Sequence, residues 1–167
     1  MNRHQKLPVA MLIGGLGAVL VIGFAGAQTS PKIGSGDTVA DRIRLMRLNN
    51  SSLQDMRAKA KADNIEAIAV NAETIAINAM HIPILFPPGS ATEKSRAKPE
   101  IWTRRAEFEA AAKNLRTQAE RLRDAARAKD ATTALEIVKN FPRQNCGRCH
   151  LPMSDGASFG PIFRTMQ

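Results

Sequence analysis

The sequence predicts an all-α protein, an antiparallel four-helix bundle with a long crossover loop between the second and third helices. Three observations carry the expectation. Four segments repeat apolar residues at three- and four-residue steps, the period of a helix with one buried face. No stretch alternates apolar with polar residues as a half-buried strand would, and no internal repeat is present. One proline-rich interval, residues 82–100, breaks the periodic pattern and demands a long connection. Bundles with one long crossover satisfy all three.

The chain has 167 residues, enough for a single domain with a modest core. Its first 27 residues are expected to lie outside that domain. Arg3 and Lys6 make a basic start, residues 7–24 are apolar and uncharged, and Ala25-Gly26-Ala27 offers a small-residue cleavage site. This is the pattern of a secretory signal. An uncleaved anchor is the rival, since the apolar run approaches spanning length; the well-formed cleavage site favours removal, and then no stable membrane insertion. Residues 28–36, rich in Pro, Gly and Ser, read as a flexible lead-in. The bundle domain is expected over residues 37–167, with an atypical tail at 151–167.

The first helix is expected over residues 37–62, with Val39, Ile43, Met46 and Leu53 on one face and a weak point at Asn49-Asn50-Ser51-Ser52. Asp63-Asn64-Ile65-Glu66 resembles a capping box that restarts the chain as a second helix. That helix carries Ile65, Ile68, Ala69, Ala72, Ile75, Ala76 and Ala79 as its buried stripe. Pro83, Pro87, Pro88, Gly89 and Pro99 then exclude a helix interior. The third helix is expected over residues 101–129, with Phe108, Ala112, Leu115, Ala119, Leu122 and Ala126 inward. Asp130 reads as the N-cap of a fourth, residues 131–140. The alanine-rich stripes allow close helix approach and leave room for a flat cofactor.

The formal net charge is +9. Loss of Arg3 and Lys6 from 24 basic residues, against 15 acidic ones, leaves the mature chain near +7. Such a balance favours anionic partners or surfaces. Nucleic acid is a poor fit, because the basic residues are scattered among acids and aromatics are few. No acid–base pair, nucleophile constellation or phosphate loop is evident, so no enzymatic activity is expected.

Cys146-Gly147-Arg148-Cys149-His150 is the most informative stretch. It contains both cysteines of the chain, with two residues between them and a histidine directly after the second. That spacing reads as a c-type haem attachment site. Two thiols on one turn of helix can each add to a haem vinyl group, and the adjacent His150 imidazole can bind the iron as proximal ligand. A zinc site would need about four ligands at regular spacing, and no second cysteine pair exists. A thioredoxin-like dithiol belongs in a βαβ setting that the flanks do not offer. A helical bundle with a Cys146–Cys149 disulfide and no cofactor is the bland alternative.

A bundle with this motif near its C-terminus resembles the class II c-type cytochromes, the cytochrome c′ family. The likeness is carried by Arg42-Ile43-Arg44-Leu45-Met46, Leu85-Phe86-Pro87-Pro88-Gly89-Ser90, Lys98-Pro99-Glu100-Ile101-Trp102, Phe108, and Cys146 to His150. Ordinary cytochromes c place the motif near the N-terminus, with a methionine far downstream. The resemblance implies one covalent haem c with its iron, and a periplasmic address, where such haem is attached. In the family, an apolar residue of the first helix blocks the distal face of a five-coordinate iron; low-spin relatives have a ligating methionine there.

That distal position falls on Met46, which apolar periodicity alone would assign to core packing. Arg42 lies four residues earlier, on the same side of the helix, and is expected to reach a haem propionate. Met56 is expected in the core, His81 at the surface or as a cap, and Trp102 at the loop–helix junction. Met153 is too close to His150 to reach the opposite haem face, Met166 lies near a free end, and His4 leaves with the signal. Family members usually continue the last helix into a nearby Phe-Arg. Here Pro152 stops it, and Phe163-Arg164 follows only after an insertion, which breaks the correspondence of Arg164. Pro142 should kink the chain or start a new turn before the motif. The leading expectation is a periplasmic electron carrier of the low-spin His150/Met46 type, serving redox partner proteins. The alternative is a five-coordinate protein that binds or buffers nitric oxide or other small gases. A C2 homodimer through the first two helices is expected by likeness to family members.

Overall fold

The computed structural model describes residues 34–160. The expected signal, most of the lead-in, and Phe163, Arg164 and Met166 lie outside these residues. Among the described residues there is no strand, and no helix is long and apolar enough to cross a membrane.

Helix α1 spans Thr38–Lys61. The Asp37 carboxylate caps it, accepting from the Val39 and Ala40 N–H groups at 3.0 Å each, an arrangement that contributes about 1 kcal/mol. No break occurs at the Asn–Ser run: Ser52 is buried, and the Asn49 side-chain Oδ1 accepts from Asn78 Nδ2 of the next helix at 2.8 Å. Asp63 ends α1 in the left-handed region (φ 54°). The Asn64 N–H donates to Lys59 O and the Asp63 N–H to Ala60 O, at 2.9 and 3.2 Å. These two bonds make a Schellman closure. Asp63 is therefore committed to stopping one helix and cannot cap the next. The expected capping box does not form, and α2, Ile68–His81, starts only after a turn through Ile65.

The third segment is split. A single turn, α3, covers Glu100–Thr103; Arg104 leaves helical geometry (φ −120°, ψ 46°); α4 then runs over Arg105–Arg127. Lys129 (φ 56°) closes α4 as Asp63 closes α1, with Asp130 N–H to Ala125 O and Lys129 N–H to Ala126 O, both at 3.0 Å. Asp130 caps α5, Ala131–Phe141, through the Thr133 N–H at 3.0 Å. With connections this short, α1 and α2 must run antiparallel, as must α4 and α5.

The helices close a ring of neighbours: α1 packs on α2 and α5, and α4 packs on α2 and α5. The α2–α4 contact is the most extensive. Every residue expected on the α2 and α4 stripes is buried, and small alanines on both sides let the two backbones approach closely. Met56, Ile68, Leu122 and Phe141 are among the largest fully buried side chains.

One face was misassigned by apolar periodicity. Ile43 is 45% exposed and Val39 only half-buried, whereas Arg42, one residue away, is 5% exposed. The true inward line of α1 passes through Arg42, Leu53 and Met56, with Leu45 and Met46 partly buried against the core. A charged residue can take an inward position here because the crossover loop supplies its acceptors.

That loop has a physical problem. Its prolines contribute carbonyls but no N–H donors, so turns such as Phe86 N–H to Pro83 O and Ser90 N–H to Pro87 O, both at 3.2 Å, satisfy only part of the backbone. Side chains from the helices supply further donors. Arg42 Nε donates to Leu85 O at 2.6 Å, and its Nη1 to Ser90 O at 3.1 Å and Ser95 Oγ at 3.3 Å. Its Nη2 donates to Ser90 Oγ. From α4, Arg105 Nη1 donates to Phe86 O at 2.8 Å and Nη2 to Pro83 O at 3.0 Å. Trp102 Nε1 donates to Pro87 O at 2.9 Å, which places Trp102 at the loop–helix junction as expected.

Candidate functional site

The motif is presented by a chain that changes its winding. Pro142 cannot donate the hydrogen bond that would continue α5, and Pro142–Cys146 forms a π-turn before α6, Gly147–His150. Wide turns of this kind recur at functional sites. The expectation of a new turn at Pro142 is met. Asn145, 3% exposed, pins the turn to α4 by accepting from Asn114 Nδ2 at 3.0 Å. Leu151 adopts extended geometry (φ −98°, ψ 153°), as a residue before proline must, so Pro152 ends α6 early.

Cys146 and Cys149 are three residues apart in helical backbone, hence on one face, and both pack partly buried against the apolar core. Neither is in a disulfide. Burial pushes the Cys146 thiol up to about 11, partly offset by the Arg57 guanidinium of α1. Burial also pushes Cys149 up to about 12, with Cys146 beside it adding to the effect. Before any attachment both groups are neutral thiols in apolar surroundings. Such an environment suits the vinyl edge of a porphyrin and does not suit a thiolate metal cage. Among the described residues no three His, Cys, Asp or Glu side chains cluster as a metal site would require. His150 follows directly, half-buried. The donor set therefore fits haem c.

Met46 is half-buried and packs on the core from α1. Arg42 has a task that sequence reasoning did not foresee. Four hydrogen bonds tie its guanidinium to the crossover loop, and the group lies over the Phe86 ring, 4.1 Å from its centroid. Burial lowers its pKa from the ordinary arginine value. Met56 is fully buried, and His81 faces its own helix, Nδ1 lying 2.9 Å from Ile77 O. Met153 belongs to the tail turn that follows α6.

Sequence reasoning missed Asn145, Phe159 and Gly160. Phe159 is 3% exposed and meets Phe108 edge-on at 5.5 Å; Phe108 in turn meets Phe86 at 5.2 Å. A lone aromatic in a Ser/Gly-rich stretch carries no periodic signal, and hydrophobicity was the sole clue.

An all-helical bundle that presents Cys-x-x-Cys-His at its last helical turn defines a c-type cytochrome of the bundle class. A sequence model of the family described as Cytochrome C′ matches residues 37–152, more than half of the chain. The crystal structure of cytochrome c′ from Rubrivivax gelatinosus shares the fold, with a TM-score of 0.60 and 23% identity, over 69% of this chain and 92% of that one. A comparison with curated proteins gives no match. The chain belongs to the cytochrome c′ family, and its cofactor is haem c, held covalently through Cys146 and Cys149.

Proposed function

We propose that this protein is a periplasmic, five-coordinate cytochrome c′ that binds or buffers small diatomic gases, with His150 as the one protein ligand of the iron. In this reading Met46 screens the opposite face. The observation that carries it is the family match, which spans Met46 and His150 together. Met46 packs partly buried against the core, and a thioether so seated can act as a screen in the way an apolar residue would. Family membership favours this over the His150/Met46 electron carrier expected from the sequence. Haem iron supplies the gas-binding position; the chain supplies the imidazole, the apolar walls and the screen. With such a screen in place, a diatomic ligand would have to displace the Met46 side chain to bind on that side.

Optical and electron paramagnetic resonance spectra of the mature protein provide the test. High-spin spectra in both oxidation states, unchanged in Met46→Ala, are expected. Removing the screen should also speed carbon monoxide binding to the ferrous protein by about tenfold or more, equivalent to about 1.4 kcal/mol of barrier. Low-spin bands, with a weak near-infrared sulfur–iron(III) transition that disappears in Met46→Ala, would reinstate the carrier.

The proposed assembly is a homodimer through α1 and α2. Ile43, Leu48, Val70, Ile77 and Met80 are all more than 40% exposed on these two helices, an apolar area that a second copy would cover. The double substitution Val70→Asp, Ile77→Asp is expected to halve the mass measured by light scattering, and a mass unaffected by it would exclude this face.

A further inference from the structure

We propose that the tail after α6, residues 152–160, is a brace that fixes the orientation of the His150 ring, with Gly160 as its contact point. This rests on the reading of His150 as the iron ligand. The family match ends at residue 152, so all of the brace after its first residue lies beyond the shared pattern.

The tail is a built structure. The Met153 N–H donates to Ala157 O at 2.7 Å and the Gly156 N–H to Met153 O at 2.9 Å, with Gly156 in the left-handed region (φ 81°). Asp155 accepts from the Ala157 N–H at 3.1 Å, and its carboxylate pairs with Arg104 at 2.7 Å, at the break between α3 and α4. The Lys98 N–H donates to Phe159 O at 3.1 Å, and the Phe159 ring is buried against Phe108. Three separate attachments thus hold the segment to the α3–α4 region. Its far end returns to the motif, where the Gly160 N–H donates to Cys149 O at 3.1 Å.

At that point the backbone runs close beside the imidazole. A Cβ added at Gly160 would lie 3.3 Å from His150 Cε1 and 3.4 Å from Nδ1. The first distance is tighter than most side-chain carbons approach and the second is at the edge of ordinary contact, so a side chain at this position asks the ring to give by a few tenths of an ångström. The brace lies beside the Nδ1–Cε1 edge of the ring. Groups behind a ligating histidine set its tilt and basicity, and through them the strength of the metal bond. In this protein Gly160 holds that position, and the Arg104–Asp155 pair and Phe159 keep it there.

The experiment compares the mature holoprotein with Gly160→Ala, Gly160→Val and Asp155→Asn. Haem content is read by pyridine haemochrome, and the iron–histidine stretch by resonance Raman scattering of the ferrous state. Haem content is expected to stay constant. The iron–histidine band should fall in frequency in Gly160→Ala and further in Gly160→Val, as the displaced ring weakens the bond. It should broaden in Asp155→Asn, which frees the tail from a surface pair without touching the core. A band present in the wild type and unmoved in all three variants would overturn the proposal alone. A wild type with attached haem but no iron–histidine band would overturn the His150 reading, and the brace with it.

Discussion

Arg42→Ala is expected to destabilise the protein by about 3 kcal/mol, because it strips charged donors from the buried Leu85 carbonyl and the half-buried Ser90 carbonyl. Leu85 O and Ser90 O would lose their guanidinium bonds, and Phe86 the cation above its ring. Arg42→Lys should recover only a small part of the loss. A single ammonium cannot reproduce a planar fork that serves Leu85, Ser90 and Ser95 together. Urea denaturation of the holoprotein measures the stability, and limited proteolysis reports loosening of residues 83–95. A stability within a few tenths of a kcal/mol of wild type, with an altered haem reduction potential, would return Arg42 to the propionate role expected from the family.

The double substitution Cys146→Ala, Cys149→Ala is expected to abolish covalent haem altogether. Haem stain after denaturing electrophoresis should vanish, since any haem still bound would be held by noncovalent contacts alone. Each single substitution leaves one thioether and should retain a reduced stain. The double variant should also unfold at lower temperature and less cooperatively, because the cofactor binds only the folded chain and stabilises it by mass action. Stain that persists in the double variant would refute attachment at this motif.

Much of this molecule was legible in its sequence, and the illegible parts have a common cause. The α2 and α4 stripes were read without error because alanine, isoleucine and leucine recur at the helical period with little interruption. Asp37 and Asp130 were readable as helix starts for the same local reason, a short acceptor just ahead of a periodic run. The inward face of α1 was misread because its key position is an arginine, and hydrophobic periodicity assigns no arginine to a core. Its burial depends on carbonyls more than forty residues away in sequence, at Leu85 and Ser90. The capping box at Asp63 failed because the same residue was needed to stop α1. The attachment motif was plain from its spacing, but its surroundings were not. Asn145, Phe159 and Gly160 act through one amide pair, one ring edge and the absence of a side chain, none of which leaves a pattern along the chain.

The anchoring of the crossover loop divides it into two unlike parts. From Pro83 to Ser90, carbonyl after carbonyl is claimed by Arg42, Arg105 or Trp102, so this stretch is bound to the bundle as firmly as a strand to its sheet. Ala91, Thr92, Glu93 and Lys94 are exposed, and no helix donor holds them. Related chains can therefore lengthen or shorten there at little thermodynamic cost, since each doubling of a free loop costs only about 0.6 kcal/mol. The same change a few residues earlier would pull a carbonyl off its arginine. Evolutionary drift in this connection has a natural outlet, and it is four residues wide.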